Sequence, residues 1–209
     1  GVSLQYAERE PRFYASVAYN GSVWEMSTSY DDYNRFYRAW YYHDSNDGKV
    51  AQTGDLYLRT GIGIKKFYNP QDSYMNGGRI TPKLDTAIRY AEVLLIYAEA
   101  LNELNGTYEI ASWDNSKTYS IKRDKEEMAK SIKPIRIRAG LPNYSDDVYN
   151  SKDEFRKKLK RERQIELFAE GHRYYDLRRW KDAPEEEATM TYGCNINVSS
   201  SESNRELYY

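Results

Sequence analysis

Apolar residues fall into helical rhythms in the second half of this chain and into none in the first. LDTAIRYAEVLLIYAEALNELNG, from Leu84 to Gly106, spaces Leu84, Ile88, Ala91, Leu95, Ala98, Leu101 and Leu104 three or four residues apart, the signature of one helix face. Gly106 stands where a C-terminal cap is expected, and Ala87, Ala91 and Ala98 would let a partner helix come close. A second rhythm, in RDKEEMAKSIKPIRIRAGLP from Arg123 to Pro142, puts Met128, Ala129, Ile132, Ile135 and Ala139 on the apolar side, with Gly140, Leu141 and Pro142 marking the end. Pro134 interrupts it. Proline lacks the N–H and clashes with the preceding turn at about 3 kcal/mol or more, so a kink or break is expected near Lys133. The third rhythm opens with Ser151-x-x-Glu154, a capping-box pattern. Phe155 and Leu159 continue it, Gly171 is expected to end it, and a short helical RYYDLRRWK follows. Residues 107–122 read as a polar insertion.

Before residue 84 the pattern is irregular. RFYASVAYN, Arg12 to Asn20, has the content of a short strand or extended segment. Asp55 to Pro70 alternates weakly and is broken by Gly61 and Gly63. The expected organisation is a loop-rich region with short strands over 1–83, a helical core over 84–181 and a loop or tail over 182–209. The expected fold is mainly α: tetratricopeptide-like antiparallel helix pairs beside a loop-rich part with minor β-structure.

Charge and composition narrow the function. Lys and Arg total 31 and Asp and Glu total 32, for a net charge of −1. Such a balance offers no field to gather a nucleic-acid backbone. A single cysteine, Cys194, permits no internal disulfide. His43, His172 and Cys194 have no zinc-ligand spacing, and no G-x-S-x-G, H-E-x-x-H or P-loop is present; no cofactor or metal is expected. No run approaches the ~20 apolar residues of a membrane helix, and no signal-peptide pattern is visible. Both ends read as if cut from a longer chain. The unusual count is 22 tyrosines against 5 phenylalanines. Tyrosine pairs an apolar ring with a polar tip, which suits half-wet surfaces: interfaces, sugar-binding platforms or the margin of a core.

Two stretches carry candidate chemistry. In RERQIELFAEGHRYYDLRRWK, Arg161 to Lys181, the core-facing positions after Leu159 hold Glu162, Arg163 and Glu166. Burying an unpaired charge costs several kcal/mol, so these residues with Glu170, His172, Arg173, Asp176 and Arg178 read as a charge latch. It would hold the third helix against its short successor through paired guanidinium and carboxylate groups. Basic–aromatic interleaving here could also stack single-stranded nucleic acid, but Asp176 and Glu185 to Glu187 oppose that. RFYRAWYYHD, Arg35 to Asp44, is the candidate ligand site. Flat sugar faces stack on aromatic rings, here Tyr37, Trp40, Tyr41 and Tyr42, while Arg38, Asp44 and Asn46 could meet hydroxyls. Equally, Trp40 and a tyrosine can plug the core beneath a long loop. With 32 acidic residues, some carboxyl pair always meets the separation of about 5–9 Å that glycoside hydrolysis needs, and no pattern singles one out.

Four strings now converge: PRFYASV, IRYAEVLLIYAEALNELNG, IRIRAGLP and RERQIELFAEGHRYYDLRRW. In this order and spacing they resemble the SusD/RagB family of cell-surface nutrient-binding lipoproteins of Bacteroidetes-type bacteria. The resemblance is firm from Ile88 to Trp180 and loose over residues 22–80. It implies longer family members with tetratricopeptide-type helices, of which this chain matches the later part. It implies binding rather than catalysis: capture of a glycan, or in some branches a peptide, at the outer-membrane surface, and delivery to a TonB-dependent, SusC-like transporter. A lipid anchor is implied as well, on a cysteine other than Cys194, which has no apolar run before it. A carbohydrate hydrolase and a purely structural scaffold stay open as alternatives. Pro134 and the 107–122 insertion depart from the commoner continuous helix.

Overall fold

The computed structural model describes residues 4–26, 36–50, 56–73, 78–84 and 86–199. They divide into two compact units: a helical unit within Asp85–Asp176, and an aromatic unit drawn from Gly1–Leu84 together with Leu177–Tyr209. The last segment, read from sequence as a separate tail, is thus grouped with the first.

In the helical unit, α2 (Tyr90–Glu103) packs against α3 (Lys125–Arg138) and α5 (Lys152–Glu166). Their shared core is Ala91, Leu95, Ala98 and Leu101 from α2, Met128, Ile132 and Ile135 from α3, and Phe155 and Leu159 from α5. Tyr149, on the short α4 (Asp146–Asn150), closes one side. Its hydroxyl donates to Asn143 Oδ1 at 2.6 Å, and burial pushes its pKa up to about 12. The sequence pattern offered no signal for α4.

Boundaries differ from the expected ones for identifiable reasons. α2 starts six residues later than the rhythm predicts, leaving Leu84 95% exposed. Arg89 is extended (φ −104°, ψ 149°) and stands at the N-cap, so the helix begins after it, and its guanidinium reaches Glu166 and Glu170. At the other end Leu104 is extended and the chain runs into a strand, so Gly106 needs no left-handed backbone and has none. α3 runs unbroken through Pro134. That residue is exposed, so water can bond the carbonyl its missing N–H leaves open. Asp124 caps α3 by accepting from Glu127 N at 3.0 Å. The end is a Schellman motif: Gly140 (φ 74°) donates to Ile137 O and Leu141 to Arg136 O, both at 2.9 Å. α5 opens with Ser151 Oγ accepting from Glu154 N at 3.3 Å, but Glu154 turns to Lys157 rather than closing the box. The helix ends at Glu166, and a turn with Ala169 (φ 63°) and Gly171 (φ 82°) leads into α6 (His172–Trp180). The supposed polar insertion is a hairpin, β5 (Tyr108–Ala111) paired antiparallel with β6 (Thr118–Ile121).

The aromatic unit is built differently. α1 (Pro11–Ser16) precedes β1 (Val17–Tyr19), so only the end of Arg12–Asn20 is a strand. Pro11 in the first turn has the fixed φ that starts a helix. β1 pairs antiparallel with β4 (Ile62–Ile64), and β2 (Val23–Glu25) with β3 (Phe36–Arg38). Three-residue strands are too short to stand alone. Rings do the packing: Tyr6 lies 4.7 Å and Phe13 5.4 Å from Tyr19, and Tyr14 is 6.1 Å from it. Cys194 sits against this cluster, its sulfur 2.9 Å from the Tyr6 hydroxyl, and Cys194 N donates to Thr60 O at 2.9 Å. Gly61 (φ 64°) permits that approach, since a Cβ there would lie 2.9 Å from Cys194 Cβ. α7 (Ala183–Glu186) completes the unit.

Candidate functional site

The aromatic loop follows β3. Asp47 is its organiser: Oδ2 accepts from the Tyr37 hydroxyl at 2.7 Å and from Trp40 N at 3.0 Å. Burial first, and then this bond, push the Tyr37 phenol well above its ordinary pKa. Ser45 Oγ reaches Trp40 O and donates to Tyr42 O at 2.8 Å. Tyr41 N donates to Asn20 Oδ1 at 2.8 Å. Gly48 leaves no room for a side chain, because a Cβ would fall 1.7 Å from Tyr42 O. Held this way, Trp40 and Tyr42 stack 5.7 Å apart at 14°, and each keeps one face the other does not cover. Tyr41 turns inward toward Trp24 and Ser22, and burial raises its pKa. Arg38 gives one N–H to Gly21 O at 2.7 Å from an exposed position, and Asp44 and Asn46 lie exposed in the same loop. Arg35 falls outside the described residues.

Beside the loop, Trp24 meets Tyr68 edge-on at 4.8 Å and carries Lys65 Nζ 5.5 Å from its ring centre. Lys65 donates to Val23 O at 2.7 Å, and burial lowers its pKa. Asp47, Asn20, Trp24 and Lys65 were not among the residues singled out from sequence. The run D-S-N-D-G, Asp44 to Gly48, is turn chemistry and could have flagged Asp47. The others come from remote segments with no local signal.

The charge cluster lies mostly in the helical unit. Arg163 and Asp176 form a buried fork, with Nε to Oδ2 at 3.0 Å and Nη2 to Oδ1 at 3.1 Å, linking α5 to α6. The other carboxylates reach elsewhere. Glu162 takes Arg136 Nη1 at 2.8 Å and the Tyr144 hydroxyl at 2.8 Å. Arg136 also lies 4.0 Å from the Tyr144 ring centre. Glu166 receives Arg89 at 3.1 Å and Arg138 at 2.5 Å. Glu170 receives Arg89 through Nε and Nη2, both at 2.7 Å, which raises the Arg89 pKa. His172 Nδ1 is 3.5 Å from Glu92, and Arg173 follows in the first turn of α6. Arg178, in the aromatic unit, pairs with Glu187 at 3.2 Å. The motif therefore reaches α2 and α3 as well as its short successor. Arg89, Arg136 and Arg138 are the partners that sequence reading missed, although IRY and IRIR set those arginines into otherwise apolar rhythms. No group of acidic, histidine or cysteine residues among those described could hold a metal ion.

The described residues thus comprise a helical unit with interhelical buried charges, joined in sequence to a loop-rich aromatic unit. The model of the SusD family matches residues 1–209, and the chain belongs to that family. It is similar to two proteins of Formosa agariphila. Identity is 37% over 120 residues with SusD-like protein P2, covering 56% of this chain and 21% of the relative. With SusD-like protein P38 it is 29% over 170 residues, covering 79% and 27%. Among solved structures, BT4246 superposes with a TM-score of 0.62 at 25% identity over 92% of this chain and 29% of its own. Its selenomethionine form gives 0.62 at 23% identity. The chain thus spans less than a third of the length of these relatives.

Proposed function

We propose that the protein binds a glycan at the bacterial cell surface without chemical turnover and passes it to a TonB-dependent, SusC-like outer-membrane transporter. The observation that carries this reading is the Trp40–Tyr42 stack on a loop braced by Asp47. A preordered ring pair beside Arg38, Asp44 and Asn46 suits a sugar, whose C–H face takes the ring and whose hydroxyls take the polar groups. Pre-bracing lowers the entropy lost on binding. Membership of the SusD family supports a nutrient-binding role, and with it anchorage at the outer membrane through a lipid. No helix among the described residues is long and apolar enough to cross a membrane.

The test is calorimetric titration of the chain with a panel of neutral polysaccharides, alongside a reducing-end assay on the same mixtures. Saturable heat with no new reducing ends is expected. Turnover of any member would make the protein a hydrolase, and binding of a peptide pool in place of every glycan would move it to the peptide-binding branch.

A further inference from the structure

The hairpin of the helical unit has no part in the proposed action of the aromatic loop. The pairings Tyr108↔Ile121 and Ile110↔Tyr119 put these four side chains on one face, and Tyr108, Ile110 and Tyr119 are each about half exposed. At the tip Trp113 is 96% exposed. An indole in open solvent forgoes the burial that normally stabilises it, and a two-stranded hairpin is marginal alone. The turn beneath Trp113 is nevertheless firmly built. Asp114 Oδ1 accepts from Ser112 Oγ at 2.6 Å, Ser116 N at 3.0 Å and Ser116 Oγ at 2.8 Å. Ser112 Oγ accepts from Lys117 N at 3.0 Å, and Ser112 N donates to Lys117 O at 2.8 Å. Asn115 takes a left-handed backbone, φ 56°.

We infer that this hairpin is a second carbohydrate-contact site, where Trp113 stacks on a sugar ring of a neutral polysaccharide. The inference rests on the glycan reading above and adds a site to it. Three observations select a neutral sugar. The indole stands clear of other side chains, as stacking on a ring face requires. Its neighbours in sequence, Ser112 and Asp114, are tied into a preordered turn, so little freedom is lost on contact. Residues 107–122 carry Glu109 and Asp114 against Lys117 and Lys122, with no net charge to gather a polyanion.

The experiment compares the 209-residue chain with its Trp113→Ala and Trp113→Tyr variants. Affinity gel electrophoresis runs in amylopectin, galactomannan, xyloglucan and laminarin, and circular dichroism checks the fold. Trp113→Ala is expected to weaken binding to the retained polymer about fivefold, the worth of one ring contact, and Trp113→Tyr to restore most of it. Retention within about twofold of wild type, below the worth of a ring contact, would overturn the hairpin site while the glycan reading stands. Unchanged retention with loss of a co-purifying protein would overturn it too, assigning Trp113 to a protein contact. A wild-type chain that no polysaccharide retards would remove the glycan reading and the hairpin site together.

Discussion

The two units solve the same problem with opposite materials. The helical unit buries aliphatic side chains at helical spacing and then, where the face of α5 should stay apolar, buries Glu162, Arg163 and Glu166 instead. The aromatic unit has strands of three residues and fills its interior with Tyr6, Phe13, Tyr14 and Tyr19, whose rings pack while the Tyr6 hydroxyl meets Cys194 Sγ and the Tyr14 hydroxyl donates to Tyr6 O. Buried charges are intolerant: each needs one particular partner at one distance. Tyrosines are tolerant, since an apolar ring and a polar tip fit many surroundings. A unit stabilised by tyrosines can vary its loops, and the ligand-contacting candidates Trp40 and Tyr42 lie in that unit.

The sharpest way to break this contrast is Arg163→Met, which leaves Asp176 buried without its fork. A loss of about 3–5 kcal/mol is expected in urea denaturation, and adding Asp176→Leu should recover most of it. A single-variant loss below about 1 kcal/mol would make the pair incidental. In the aromatic unit Asp47→Ala removes the acceptor for Tyr37 and Trp40, with an expected loss of about 1–3 kcal/mol. It should also shift tryptophan emission as Trp40 loosens, and unchanged emission would remove Asp47 as organiser. Trp40→Ala should weaken glycan binding by about 1 kcal/mol, the worth of a ring contact. A change under about 0.5 kcal/mol with the fold intact, the range of a neutral surface substitution, ends the stacking proposal.

The smallest effect concerns pH. Hydrogen bonds from Ser112, then Ser116, hold the Asp114 carboxyl down to about 2. A depressed carboxyl stabilises above its unfolded value of about 3.9 and loses that contribution as pH falls through the folded one. Amide protection at residues 112–117, taken relative to the intrinsic exchange rate at each pH, should therefore fall between about pH 4 and pH 2. Carboxyl titration by NMR with a midpoint near 4 would remove the Asp114 bracing.

The legible parts of the fold were those set by neighbours three or four residues away. Leu95, Ala98 and Leu101 declared a helix face, Ser151 a start and Gly140 with Leu141 a stop. Residues 4–73 were not legible, because β1 meets β4 across more than forty residues of chain and nothing near Tyr19 announces Ile62. The candidate ligand loop was visible as composition, in RFYRAWYYHD, whereas its bracing by Asp47 and Asn20 was not.

By itself the sequence determined that charges would occupy the inner face of α5 and that they came in numbers able to pair, since helical periodicity fixes which residues share a face. Only the tertiary structure decided the partners. Arg89 reached Glu166 and Glu170, and Arg136 reached Glu162, across 77, 81 and 26 residues. An ion pair is chosen by distance in space, which spacing along the chain does not encode. Tertiary structure also decided where α2 begins: Leu84 and Ile88 stay exposed, so no burial rewards carrying the helix back through the apolar rhythm that holds them.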